Sequence, residues 1–354
     1  MTNFTVTFKP VRDLIAEPVY LKTDADCTGV TSVRCGDRIY PASPYRDGII
    51  AVLSGEKGVE MTLTAADDPM ETVDAVLIPG EHKVSLTVGG AHFSDYVFDP
   101  AIYKPYFGQI TDDAGHPFTR LDLTTKEHVH QRSLIIAIGD VNGVDCWNEP
   151  ANCGIIRNES VTDVVSSSAY ASFTANNRWT DHDGNPLMKE STKYTVYNQT
   201  DACRALDMEI TFTAEYGDVN FGPTKEAGPL GIRLVDELRE DIGTGTLSNS
   251  WGGVGEKECW SRSAAWCDYC GNPEGVGVMG VTVFDNEKNE RFPTAWHIRS
   301  YGLFAANNLY FKGGYTLKSG ESITYRYRIL FRRREMTRDE LADRFVLYTM
   351  NPKM

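Results

Sequence analysis

Apolar and polar residues alternate with a period of two along most of this chain. The stretches "FTVTF", "VEMTLTA", "HKVSLTV", "KYTVYN", "LDMEITFTA" and "SITYRYRILF" all read this way. Successive side chains of a strand point to opposite faces, so this period specifies strands with one face covered. Turn clusters such as "VGG", "DDAGHP", "HDGNP" and "KSGE" separate them. Short strands punctuated in this manner predict an all-β fold, a large antiparallel β-sandwich. One helix interrupts the pattern, over residues 337–348 in "MTRDELADRFVLY". Thr337 and Glu340 stand at capping-box spacing, and Leu341, Phe345 and Tyr348 form an apolar stripe. Strands are short up to residue 98 and lengthen from "YKPYFGQI" onward. The chain therefore divides into a small N-terminal β unit, 1–98, and a large domain, 99–354, that carries the polar clusters.

Composition narrows the partners. The 354 residues are 41% hydrophobic, enough for a large core. A net charge of −14 repels phosphate backbones, and no basic stripe offsets it. Nucleic acid is not an expected partner. No run of about 18 apolar residues predicts a membrane span. The N-terminus has no charged segment leading into an apolar one, so a cytoplasmic location is the default expectation. Eight cysteines are scattered, and "CDYC" has no second pair at zinc-ribbon spacing, so free thiols are expected.

Two stretches carry the chemistry. In "HVHQRSLIIAIGDVNGVDCWNE", a strand over 128–138 would place His128, His130 and Arg132 on one face. In "FPTAWHIRSYGLFA", the same parity groups His297, Arg299 and Tyr301. Charges at strand centres are costly to bury unless they are paired or functional. Two such strands predict a polar pocket on a concave sheet, suited to an oxygenated or anionic ligand. Lys225 and Glu226 lie in a Gly/Pro-rich turn. Asn249, Glu256, Glu258, Trp260, Trp266 and Asp268 lie in "SNSWGGVGEKECWSRSAAWCDYCG", which reads as a functional loop. The turn "DVNGVD" fails as a calcium loop, because Asp145 and Ala151 occupy its sixth and twelfth positions. No nucleotide, serine-hydrolase or zinc-protease motif is present, and no cofactor is called for. A metal ion held by His128, His130 and His297 is the alternative use of the histidines.

The blocks "KPYFGQI", "HVHQRSLIIAIGDVNGVDCWNE", "GPLGIRL", "GGVGEKECWSRSAAWCDYCG" and "TAWHIRSYGLFAAN" together resemble a bacterial family labelled "methane oxygenase PmoA". The resemblance runs from about Tyr103 to Phe331. The family's first block has Pro between its histidines and often a third His, where this chain has Val129 and Gln131. The resemblance implies a β-supersandwich of the galactose-mutarotase kind and an association with carbohydrate degradation. The expected function is then a glycoside hydrolase, lyase or epimerase acting on a small saccharide. His128, His130 or His297 would move a proton, with Glu226, Glu256, Glu258 or Asp268 as partner. Arg132, Arg299, Tyr301, Asn249 and Lys225 would bind the substrate, and Trp260 and Trp266 would stack on the sugar. A sugar-binding or sensing protein without catalysis is the other reading.

Overall fold

The computed structural model describes residues 4–123 and 127–350. Two eight-stranded antiparallel sheets face each other, as the alternation requires. The front sheet runs, from one edge to the other, Trp296–Ile298, Leu303–Ala306, Ala227–Arg233, Leu134–Ile138, Tyr106–Phe107, Ala91–Val97, Lys83–Val88 and Val73–Ile78. The back sheet runs Ile155–Val165, Tyr170–Thr180, Pro186–Tyr197, Cys203–Thr213, Ser322–Arg332, Met279–Phe284, Trp266–Gly271 and Thr246–Asn249. Period two fills the space between them. Leu206, Met208, Ile210 and Phe212 of one back strand meet Leu134, Ile136 and Ile138 of the front sheet in a single core. Each such aliphatic side chain contributes roughly 1.5–3 kcal/mol on full burial.

The strand Leu134–Ile138 is apolar throughout because both of its faces are covered. Ile135 and Ala137 point away from the core into a second cluster with Tyr106, Trp147, Leu303 and Ala305. Loops pack over this outer face, and that is where the polar side chains gather.

The expected boundary near Asp99 does not match the sheets. A separate six-stranded sheet takes Thr5–Phe8 through Met61–Ala66, but Val73–Ile78, Lys83–Val88 and Ala91–Val97 pair into the front sheet. Strand length marked the change in texture; hydrogen-bond partners place the change of sheet between Ala66 and Val73. The small sheet docks on the outer face of the back sheet, where Tyr45 and Ile50 meet Tyr170, Tyr197 and Trp266.

The C-terminal helix spans Arg338–Met350 and seals this junction through buried Leu341 and Tyr348. Its cap is half of the predicted box. Thr337 Oγ1 accepts from the Glu340 amide at 3.1 Å, while the Glu340 carboxylate turns to Arg334 instead. Beneath the helix lies a buried ionic network. Arg328 donates to Asp207 from Nε and Nη2 (2.7 and 2.9 Å) and to Glu17 from Nη1 (2.8 Å). Arg344 of the helix reaches the same Glu17 at 3.2 Å. Small sheet, back sheet and helix are thereby joined at one carboxylate. Among the described residues, no helix is long and apolar enough to cross a membrane.

Candidate functional site

The outer face of the front sheet is set by register. Ile135 pairs with Gly231, Gly231 with Ala305, Ala305 with His297, and Arg233 with Leu303, so these side chains share one side. A Cβ at Gly231 would stand 3.0 Å from Trp147 Cη2. Glycine there lets the indole lie against the sheet.

His128, His130 and Arg132 do not share a strand face, because the strand begins only at Leu134. A turn precedes it. The Gln131 amide bonds the His128 carbonyl at 2.9 Å, and His128 and Ser133 have φ of 51° and 37°. Ser133 holds the bend by donating to the Gly108 carbonyl at 2.7 Å. The expected parity also fails after Ile298, where Arg299–Gly302 form a turn. Only His297 obeys it.

The two groups nevertheless converge, and Tyr301 is the meeting point. Its ring stacks on His128 with centroids 5.4 Å apart and planes 5° apart. The guanidinium carbons of Arg233 and Arg299 stand 4.9 and 5.4 Å from the same ring. Arg233 Nη1 donates to Gln131 Oε1 at 2.7 Å, and its Nη2 to Glu127 Oε1 at 3.1 Å. That Glu127 oxygen lies 3.5 Å from His128 Nδ1. The His130 ring is 5.9 Å from His128 and 6.4 Å from Trp147.

Behind His130, one carboxylate serves two cations. Glu149 accepts from Arg132 Nη2 at 2.6 Å and from Lys104 Nζ at 2.9 Å. Arg132 also lies over the Tyr106 ring. Arg132 Nε and Nη1, Trp147 Nε1 and Arg233 Nε are buried without a hydrogen-bond partner. Donors exceed acceptors on this face.

His297 is buried, and Trp260 Nε1 donates to its Nδ1 at 3.3 Å. That bond fixes a neutral ring with its proton on Nε2. Burial, reinforced by Arg299 and Lys225, depresses its pKa to about 4. Burial with Lys104 and His128 does the same to His130, also to about 4. Both rings are therefore neutral at pH 7. Burial alone would raise the Glu256 carboxyl, but the Ser300 amide (2.5 Å) and Arg299 (2.9 Å) hold it below its ordinary value. Glu256 is thus spent on positioning Arg299. Glu226 is the more open carboxylate, its side chain 41% exposed beside Lys225 at 3.8 Å.

The remaining candidates lie elsewhere. Asp268 is buried in the back sheet, bound by both Arg332 Nη1 (2.7 Å) and Nη2 (2.9 Å). Trp266, on the same strand face, packs in the junction with the small sheet and cannot stack on a sugar. Asn249 accepts the Trp251 and Gly253 amides and shapes its own turn. Glu258 is exposed and accepts from the Val254 amide. Trp260 reaches the site as a hydrogen-bond donor to His297, with its ring against Phe311. Of the expected functional loop, Glu256 and Trp260 reach the Tyr301 and His297 side of the site, and Tyr269 donates its hydroxyl to the Arg299 carbonyl. Among the described residues, no three His, Cys, Asp or Glu side chains are grouped to hold a metal ion.

Sequence reasoning missed Lys104, Glu127, Gln131, Trp147 and Arg233, while Glu149, which follows the "DVNGVD" turn, was expected to border the pocket and does. Arg233 did carry a signal, since a charge inside the apolar strand "GPLGIRL" needs partners. Gln131 was assigned to the opposite face by a parity that a turn does not obey.

The fold and this face define an all-β, two-sheet sandwich protein with a histidine- and arginine-rich outer face. The chain belongs to the family described as "Family of unknown function (DUF6807)", whose pattern matches residues 83–346. No curated protein gives a significant match. Among solved structures, the chain is similar to the GH36 alpha-galactosidase AgaB from Geobacillus stearothermophilus. Identity is 10% and the TM-score 0.41, over 73% of this chain and 41% of that one. It is also similar to the alpha-galactosidase from Lactobacillus brevis, at 8% identity and a TM-score of 0.35, over 73% and 39%. The chain spans about two-fifths of the length of these structures.

Proposed function

We propose that this protein is a carbohydrate-active enzyme of the glycoside hydrolase, lyase or epimerase type. It acts on a small saccharide or glycoside at the outer face of the front sheet. The observation that carries this reading is a face with two neutral histidines, His297 buried and His130 half-buried, and with unmet donors on Arg132, Trp147 and Arg233. A neutral imidazole at pH 7 takes up a proton as a base, and a low pKa keeps it available in mildly acidic solution. His130 is the base; His297, with Nδ1 taken by Trp260, offers its Nε2–H as a donor to a substrate oxygen. Glu226 is the partner carboxylate. Arg132, Arg233 and Arg299 offer planar donors to hydroxyl, carbonyl or carboxylate oxygens. His128 and Tyr301 present a stacked pair of rings to the apolar side of a sugar. The resemblance to a family that accompanies carbohydrate degradation supports the same reading.

The test is a panel of oligosaccharides and oxidised glycosides, with products read by mass spectrometry. The expected result is turnover by the wild type and none by His130→Ala or His297→Ala, both folded by circular dichroism. Full activity in both variants sinks the proposal. Saturable binding of a sugar with no product would establish the non-catalytic reading in its place.

A further inference from the structure

A second polar cluster lies at one mouth of the sandwich, away from the histidines. The strand Cys203–Thr213 points Leu206, Met208, Ile210 and Phe212 into the core, and Arg204 is the next inward position in that series. The neighbouring strand points Tyr325, Tyr327, Ile329 and Phe331 inward, and Arg333 follows. Arg204 pairs in register with Phe331. Two adjacent strands thus end their apolar series with an inward arginine. Their side chains are only 13% and 21% exposed. Burying cations at core-facing positions is costly unless something meets them.

The turn 112–116 of the front sheet closes over this end. Asp112 Oδ1 accepts the Ala114 and His116 amides, and Oδ2 lies 3.1 Å from both His116 Nδ1 and Arg333 Nε. Arg333 Nη2 donates to the Val276 carbonyl, and its Nη1 is buried with no partner. Arg204 gives Nη1 to the carbonyls of Gln199 and Cys203 and Nη2 to Asp113. That Asp113 side chain is 71% exposed, at the tip of the turn. Between these groups lies a cavity of about 230 Å³, lined also by Phe118, Ala202 and Phe331.

We propose that this mouth binds a small organic monocarboxylate, with its apolar body on Phe118 and Phe331. The ligand carboxylate takes the place that Asp113 now holds on Arg204, with the Arg333 guanidinium beside it in the wall. The cavity is smaller than most drug-sized sites, which matches a single-ring acid. A dianion such as phosphate is disfavoured, because Asp112 stays fixed at the wall and the floor is apolar. The site is independent of the sugar chemistry proposed for the front sheet.

The test is calorimetric titration of the full chain with benzoate, with its neutral isostere benzamide, and with inorganic phosphate. Benzoate is expected to bind one to one, and benzamide about tenfold more weakly or worse, the value of one charge-assisted bond. Asp113→Asn, at an exposed turn tip, removes the competing carboxylate and should tighten benzoate severalfold. Arg333→Gln should weaken it by about tenfold or more. The proposal is overturned if benzoate does not saturate folded Asp113→Asn, if benzamide binds equally well, or if phosphate binds more tightly.

Discussion

Arg328 and Arg132 are both arginines against carboxylates, and they live differently. Arg328 sits under the C-terminal helix with all three guanidinium nitrogens engaged, two by Asp207 and one by Glu17. Arg132, on the front sheet, uses one nitrogen on Glu149 and leaves two buried without a partner. Glu149 is moreover shared with Lys104. The first guanidinium is satisfied by the protein that surrounds it. The second is left short of acceptors, which suits the substrate contact proposed for it. The two arginines are therefore alike in burial and differ in the number of donors left unmet.

The largest effect that tests this contrast is on stability. Glu17→Ala strips Arg328 and Arg344 of a shared partner and should cost about 3–5 kcal/mol in urea denaturation. Arg132→Gln should cost well under half of that. Equal losses would erase the distinction. Next come His130→Ala and His297→Ala, each expected to lower turnover by about 10²–10⁴-fold; His130→Ala should leave the denaturation midpoint near wild type, while His297→Ala, which takes the acceptor from Trp260 Nε1, should cost about 1–3 kcal/mol. The pH profile is a third test. Both histidines have folded pKa values of about 4 against an ordinary 6.5, so between those limits the unfolded chain binds more protons. Stability should fall as pH drops from about 6.5 to about 4, and His297→Ala should flatten part of that slope. Turnover should keep its acid limb near pH 4 instead of 6.5, read from kcat/KM against pH. A limb at 6.5 would mean that His130 is not the base. The smallest effect belongs to Glu258→Gln, exposed and remote: within about 0.5 kcal/mol in stability, with turnover unchanged.

The architecture was legible because period two is a local property that each strand writes in its own residues. The C-terminal helix was legible for the same reason, through Thr337 and its apolar stripe. The site was legible only as a neighbourhood. His128 and Arg299 do meet across Tyr301, but through turns and not through strand parity. Nothing local announces that His128 and Ser133 take positive φ, since neither is glycine. The decisive pairs, Arg233 with Gln131 and Lys104 with Glu149, join residues 102 and 45 positions apart. Such pairing is a product of sheet order, which the alternation does not encode. Trp266 and Asp268 show the converse. Their spacing put them in a promising loop, while their strand turned both toward the far side of the back sheet.

The ionic junction also ties the two ends of the chain together. Glu17 is buried, and the cations that meet it come 311 and 327 residues later. While the chain is being made, the small sheet can pair its own strands but holds a carboxylate with no counter-charge. Docking it early would bury that charge alone, which is unfavourable. The small sheet and the C-terminal helix are thus coupled through one carboxylate, and docking either without the other leaves part of the network without its counter-charge.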